Sequence, residues 1–361
     1  MAAISSKQQI TELIKAGYVL TYVVSSEEAR VEEAIVDIAT VQLKKQRNVI
    51  AWSCTKGFEG LSGGCKLGGD VRDPLKALDK IGSYEGDAIF VLRDYHPYMK
   101  NPQVTRRLRD MNRELKNHDT HDRKIILLSG ALNVPAEIEK DLTVVDYDLP
   151  NREEMSQIVD EVVDEIGGKI SGKDALKAAE DIQERGRVVD AVLGLSAEEA
   201  ENALYKSYAR KRDLDIETLL EEKKNIIRKS GVLEFYETNE SLEGVGGLEV
   251  LKDWLAKRQR SFSDEARNFG LPSPKGILLL GIPGCGKSLS AKAIGHQWKM
   301  PLLRLDVGRV FAGLVGQSEE NMRKAIKTAE AVAPCVLWLD ELEKGFSGTG
   351  SSGQTDGGII S

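Results

Sequence analysis

Apolar positions recur along the chain in two rhythms. Between Gly17 and Pro150, short apolar runs alternate with amphipathic stretches. "YVLTYVV", "NVIAWSC", "DAIFVLRDYH", "KIILLSG" and "LTVVDYDLP" have the length and β-branched content of strands. Between them, "SSEEARVEEAIVDIATVQLKK", "DPLKALDKI" and "PQVTRRLRDMNRELK" carry helical spacing. Five strands separated by helices predict a mostly parallel, doubly wound sheet. After Pro150 the strand rhythm stops. "NREEMSQIVDEVVDEI", "GKDALKAAEDIQERG" and "SAEEAENALYKSYARKR" read as helices, the last with Ser196 as N-cap and Glu199 placed to close a capping box. A second alternation opens with "KGILLLG", predicted to be a strand, and runs to "APCVLWLDELEK", predicted to be a buried strand ending in two carboxylates.

The stretch "GIPGCGKS", Gly281 to Ser288, has the form G-x-x-x-x-G-K-S between that strand and the helical "LSAKAIGHQW". Glycines let successive backbone N–H groups turn inward around a phosphate, and the helix N-terminus adds its positive end. Lys287 is placed to reach the β- and γ-phosphates of ATP, and Ser288 to give its hydroxyl to Mg²⁺. Downstream, a strand delivers Asp340 and Glu341 at its C-terminal end, where open α/β sheets place their ligands. Asp340 is expected to hold Mg²⁺ through its water shell, and Glu341 to act as general base toward the attacking water.

Composition narrows the remaining classes. The 361 residues are 41% hydrophobic and 30% charged, which fits a globular chain of two or three domains. A net charge of −7 argues against a general nucleic-acid or acidic-membrane binder. Apolar runs are strand-length, far short of a membrane span. Cys54, Cys65, Cys285 and Cys335 show neither C-x-x-C nor zinc spacing, which suits a reducing compartment. Cys285 stands at a helix N-terminus, which lowers a thiol pKa, but a small side chain there suffices as its reason. "GFEGLSGGCKLGGD" reads as a mobile glycine loop, "NHDTHD" as a polar connector, and the basic runs "RRLRDMNRELK", "YARKR" and "KRQR" as solvated helix faces or subunit contacts.

"SLEGVGGLEVLKDWLAKRQRSF", "LPSPKGILLLGIPGCGKS" and "VGRVFAGLVGQSEENMRKAIKTAEAVAPCVLWLDELEK" resemble the opening and the two nucleotide motifs of the AAA ATPases. More narrowly, the chain resembles the AAA proteins of plastids and cyanobacteria known as the hypothetical chloroplast reading frame forty-six family. The resemblance implies an α/β fold, with a P-loop AAA+ module of doubly wound parallel sheet. It implies ATP and Mg²⁺ as cofactors, with Val245 and Gly246 lining the adenine pocket. Nucleotide contacts fall to Gly281, Ile282, Pro283, Gly284, Cys285, Gly286, Lys287, Ser288 and Leu289, metal contacts to Ser288 and Asp340, and catalysis to Glu341 and Lys287. It also implies a protein substrate, a homo-oligomeric ring (a hexamer at full length) and a cyanobacterial cytoplasm or plastid stroma. Nucleotide-dependent scaffolding with little turnover is an alternative, and remodelling of RNA a less favoured one. In "FAGLVGQSEE" the resemblance makes Leu314 and Val315 the pore-facing pair, with Phe311 three residues earlier a substitute only if the loop is displaced, and packing of all three inside the module the alternative; an aliphatic pair suits local remodelling better than processive unfolding.

"LLSGALNVPAEIEKDLTVVDYDLPNREEM" resembles the sensor strand and exit of the same fold, so the front part is expected to be a second AAA-like α/β unit, with an unrelated flavodoxin-like domain as the alternative. Where it should carry a phosphate loop, after "YVLTYVV", stands "SSEEAR", with Glu27 and Glu28 and neither glycine nor lysine. Carboxylates there suit the helix dipole and repel a triphosphate. Arg93 and Asp94 stand where paired carboxylates are expected. The resulting division is a degenerate AAA-like α/β subdomain over 1–150, a helical lid-like subdomain over 151–230, a linker over 231–240, an incomplete AAA+ module over 241–346, and a flexible tail over 347–361. The tail "EKGFSGTGSSGQTDGGIIS" shows none of the sensor, arginine-finger or lid features of relatives, so this chain alone is expected to bind nucleotide weakly and hydrolyse it poorly.

Overall fold

A computed structural model describes the chain from Ile4 to Asp340, apart from 44, 64–66, 68–69, 117–120, 170–181, 230–232, 237–239, 241, 263–265, 267–268, 272–273, 283, 299 and 312–316. It divides into two compact units, Met1–Leu149 and Pro150–Ser361.

In the first unit, α1 (Ser6–Lys15) precedes β1 (Leu20–Val24) and α2 (Glu28–Asp37). Then come β2 (Asn48–Ser53), β3 (Gly57–Ser62), α3 (Pro74–Gly82), β4 (Ala88–Arg93), α4 (Pro102–Lys116), β5 (Arg123–Ser129) and β6 (Thr143–Asp146). The strands lie in the order β3-β2-β4-β5-β1-β6. All neighbours are parallel except β2 and β3. The five predicted strands are present, and a sixth joins them. The glycine loop was expected to be mobile; its first part, Gly57–Ser62, is instead an edge strand paired antiparallel to β2. Backbone pairing needs no side-chain bulk, so glycines at Gly57 and Gly60 do not prevent it, while Phe58 supplies a buried anchor. The rest of that stretch, including Cys65 and Lys66, lies mostly outside the described residues.

Period-two alternation sends each strand's residues to two faces. Tyr22, Ile50, Trp52, Phe90, Leu92, Ile125 and Leu127 pack against α3 and α4 through Leu78, Ile81, Leu108 and Met111. Val23, Val49, Ala51, Ile89, Val91, Ile126 and Leu128 pack against α1 and α2 through Ile10, Ile14, Val31 and Ile35. Each such side chain contributes about 1.5–3 kcal/mol by leaving water, so a sheet buried on both faces is where this unit's stability concentrates. Local signals agree with the packing: Asp73 caps α3 by accepting from Lys76 N at 2.8 Å, with Pro74 opening the helix.

The second unit begins with helices: α5 (Arg152–Lys169), α6 (Ile182–Val192), α7 (Ala197–Lys211) and α8 (Ile216–Lys229). Ser196 and Glu199 form the predicted capping box, each side chain taking the other's backbone N–H. Met155, Val159, Val188, Val192, Leu204 and Leu219 make the helical core. The chain then supplies β7 (Leu233–Tyr236), α9 (Glu249–Gln259), α10 (Lys287–Trp298), β8 (Leu302–Asp306), α11 (Val307–Phe311), α12 (Gln317–Ala331) and β9 (Val336–Asp340). Its sheet runs β7-β8-β9, antiparallel then parallel. At four residues β7 is too short to show in the sequence, and it pairs with β8 within the stretch 231–240 expected to be a linker. Ile227 of α8 enters the core beneath this sheet with Leu233, Leu303, Leu305 and Val310, so the last helix of the bundle docks on the sheet.

Candidate phosphate-binding site

The loop before α10 has the backbone that its glycines permit. Gly284 and Gly286 adopt φ of 83° and 88°, a region that L side chains resist. A Cβ at Gly281 would lie 2.4 Å from Cys285 Sγ, so any larger residue there would force the exposed cysteine side chain to turn away. Lys287 opens α10, and its Nζ turns back to donate to Gly281 O and Ile282 O, both at 2.9 Å. The ammonium thus sits against the loop's own carbonyls. Ser288 and Leu289 are on the first turn of α10 and exposed, and Ser290 is buried with Oγ donating to Gly286 O at 3.0 Å, tying loop to helix.

Residues 276–281 differ from expectation. "GILLLG" has no assigned secondary structure and joins no ladder among the described residues, and Leu278 and Leu280 are 70% and 84% exposed. An apolar run becomes a strand only when a neighbouring backbone pairs with it, and the described sheet ends at β9. β9 corrects a second expectation: it is half-buried rather than buried, as an edge strand is.

Asp340 ends β9, in parallel register opposite Asp306 of β8. Alternation divides this small sheet. Leu233, Leu303 and Leu305 face the core, and Glu234, Tyr236, Arg304, Trp338 and Asp340 share the other face. There Arg304 Nη2 donates to Asp340 Oδ2 at 2.9 Å. Its Nη1 reaches Glu234 Oε2 at 3.4 Å and Tyr236 Oη at 3.5 Å, and its guanidinium carbon lies 5.2 Å from the Trp338 ring centroid. Hydrogen bonds to Asp340 and Tyr236 raise the Arg304 pKa against the opposing cost of burial. Lys292 of α10 sits over the Tyr236 ring at 5.5 Å, so this face lies toward the phosphate-loop helix. Sequence reading missed Arg304, Glu234 and Tyr236. Their signal was the polar residue at alternate positions of "LEFY" and "LLRLD".

Val245 is 5% exposed and follows the turn Leu242–Gly244, which packs against α10; Gly246 beside it is exposed. Pro283, Glu341, Leu314 and Val315 lie outside the described residues, as does the side chain of Phe311. The hydroxyl of Ser288 and the carboxylate of Asp340 are hard oxygen donors of the kind Mg²⁺ takes, and the left-handed glycines with the inward lysine fit a phosphate cradle.

The corresponding place in the first unit is the C-terminal end of β1, where the strand order reverses between β1 and β5. Ser25 N is tied to Ser129 O at 2.9 Å, and Glu28 opens α2. Arg93, ending β4, takes Glu32 bidentately at 2.6 and 2.8 Å and Glu28 at 3.1 Å, and also pairs with Glu59 of β3. Glu32 holds the Arg93 pKa up, outweighing its burial, while burial raises that of Glu28. Acidic side chains and their own arginine therefore fill this end of the sheet. A cavity of about 490 Å³ nearby is lined by His96, Thr105 and Arg109, but His96 Nδ1 already meets Ser129 Oγ at 2.8 Å and Arg109 is taken by Asp141 at 3.0 Å. Among the described residues, no cluster of His, Cys, Asp and Glu has the makings of a metal centre, and no helix is long and apolar enough to cross a membrane.

A loop of phosphate-binding pattern at a helix N-terminus, with that helix packed against a strand that ends in Asp340, is the pattern of a P-loop α/β protein. The AAA family (ATPase family associated with various cellular activities) matches residues 277–359. The N-terminal and second domains of SpoVK-like AAA ATPases match residues 6–147 and 153–230. AAA domain-containing proteins named ycf46 are similar over nearly the whole chain. That of Trieres chinensis is 36% identical over 95% of this chain and 67% of its own length; that of Gracilaria tenuistipitata var. liui is 37% identical over 95% and 68%. The mouse nuclear valosin-containing protein-like protein is 32% identical over 36% of this chain and 15% of its own length. The chain belongs to the ycf46 family of AAA domain-containing proteins, and spans about two thirds of those relatives' length.

Proposed function

We propose that this chain is the nucleotide-binding part of an ATPase that uses Mg-ATP binding and hydrolysis to remodel or assemble a protein partner. The observation that carries this reading is the loop 281–287, with Lys287 Nζ folded onto Gly281 O and Ile282 O. A phosphate would offer that ammonium stronger, charged acceptors than two carbonyls, so the lysine is poised to exchange them. In this reading Mg²⁺ is held by Ser288 and by Asp340 through water, and supplies charge neutralisation between the phosphates. Glu341 takes the proton of the attacking water. Val245 and Gly246 line the adenine.

The partners implied are a protein substrate and further copies of the same chain in a ring, in a plastid stroma or a cyanobacterial cytoplasm. The basic helix α4 gives little support to an RNA partner, because three of its four arginines are matched by acids: Arg106 with Asp110, Arg107 with Asp79 and Glu114, Arg109 with Asp141. The first unit is proposed to be an AAA-like module without nucleotide chemistry. The test is a pair of substitutions in the full-length protein. Lys287→Ala should abolish nucleotide binding. Glu341→Gln should keep binding and lower hydrolysis by about two orders of magnitude or more, since an amide takes no proton. Unchanged turnover in the glutamine variant would remove Glu341 from the base role.

A further inference from the structure

The face of β7-β8-β9 turned toward α10 holds one feature that phosphate chemistry does not require, an arginine bonded to the strand-end aspartate. Arg304 is fixed from several sides. Trp338 stacks on it, Glu234 and Tyr236 hold one end of the fork, and Asp340 Oδ2 accepts from the other. Its side chain is 23% exposed and that of Asp340 30%, so the bond is partly shielded from water and salt. The contact is a diagonal one. Arg304 is directly opposite Trp338, and Asp340 is the next residue on that face. Nε of Arg304 is buried without an acceptor among the described residues, so the guanidinium is not spent on a bidentate grip of this carboxylate. Asp340 Oδ1 has no protein donor among the described residues, and one oxygen of the carboxylate remains for another partner.

Resting on the Mg-ATP reading above, we propose that Arg304 is a positioning residue for the metal: it holds Asp340 by Oδ2 at a fixed rotamer, so that Oδ1 receives the water shell of Mg²⁺. Two opposed effects decide the sign. A guanidinium near Mg²⁺ repels it, and a free carboxylate must lose rotamer freedom before it can serve. The repulsion is weakened because the arginine is already compensated by two carboxylates, Asp340 and Glu234, and stays where its aromatic and acidic neighbours hold it. Orientation therefore wins. Hydrogen-bond partners of directly ligating carboxylates and histidines hold metal affinity up by about 10–100-fold, and because Asp340 acts through water the effect here is set at the lower end of that range. Lysine at this position keeps the charge but loses the planar fork and much of the stacking on Trp338, so it should rescue only in part.

The experiment is nucleotide binding by the purified chain, titrated with Mg²⁺ and in parallel with Mn²⁺ followed by electron paramagnetic resonance. Wild type, Arg304→Gln and Arg304→Lys are compared, with metal-free nucleotide affinity measured in EDTA and folding checked by circular dichroism. The expected result is a metal midpoint about tenfold higher in Arg304→Gln, an intermediate one in Arg304→Lys, and the same metal-free affinity in all three. An unchanged midpoint with a lowered melting temperature would make Arg304 a packing residue only and overturn the proposal. A lower midpoint would show that the arginine competes with the metal, and overturns it equally. Should Arg304→Gln fail to fold, Arg304→Lys decides by the same criteria. Nucleotide binding by the wild type that ignores both metals would instead defeat the Mg-ATP reading itself, an outcome visible before any variant is measured.

Discussion

At the scale of single residues, the two units use arginine at a strand end in opposite ways. Arg304 leaves Asp340 one oxygen that no donor among the described residues takes, whereas Arg93 is surrounded by Glu28, Glu32 and Glu59. Glu32 has a side chain only 11% exposed, so it depends on Arg93 for its charge to be tolerated there. Removing one member of such a pair strands the other, at a cost of about 3–5 kcal/mol. Arg93→Met is therefore expected to destabilise the first unit by about 3 kcal/mol, and Arg93→Met with Glu32→Gln to recover part of the loss, because the amide needs no cation. Hydrogen exchange of the β4 and α2 amides in urea reads both. Equal protection in wild type and Arg93→Met would show that the cluster is solvated and carries no stability. The phosphate loop was legible in the sequence because its function depends on local backbone: Gly281, Gly284, Gly286 and Lys287 act within one turn of chain. Arg304 was not legible, since its role comes from a diagonal across two strands whose pairing no local pattern states.

At the scale of elements, α8 ties the helical bundle to the sheet, and it buries a lysine in doing so. Lys223 is 3% exposed, with Nζ only 3.5 Å from Asp190 O. Burial lowers its pKa from 10.5 to about 8, against smaller opposing effects of Cys335 and Asp190; the Cys335 thiol is in turn raised by burial. The sign follows from which state binds the proton. Below pH 8 lysine is charged in both states, and the folded one bears the full cost of burying it. Between about pH 8 and 10.5 the unfolded chain binds the proton and the folded chain does not, so this group makes stability rise with pH. Lys223→Met should therefore stabilise the second unit at pH 7 by up to about 3 kcal/mol, and the gain should shrink toward pH 10. Thermal melts of both proteins across that range test it; a methionine variant less stable at pH 7 would mean that the ammonium is satisfied where it lies. Elements also show where sequence patterns stop. Strands β1, β2, β4 and β5 were legible because burial on both faces makes continuous apolar runs, and the edge strand β6, whose Val144 is exposed, by its β-branched residues. β3 was hidden by glycines and β7 by brevity, for each is defined by its partner's backbone. "GILLLG" shows the converse, an apolar run with strand character and no described neighbour to pair with.

At the scale of the whole molecule, the proposed nucleotide site falls in one of the two units. The first unit has the reversal of strand order that makes a crevice, but its crevice carries Glu27, Glu28 and Glu32 instead of glycines and a lysine. The second unit carries the loop, the lysine and the strand-end aspartate. The most direct measurement is equilibrium dialysis of labelled ATP with the chain and with Lys287→Ala, at millimolar Mg²⁺ and over nucleotide concentrations reaching the millimolar range. The account predicts a single saturable nucleotide per chain in the wild type and none in the variant. A saturable site that survives Lys287→Ala, or a second site in the wild type, would place nucleotide in the first unit and contradict it.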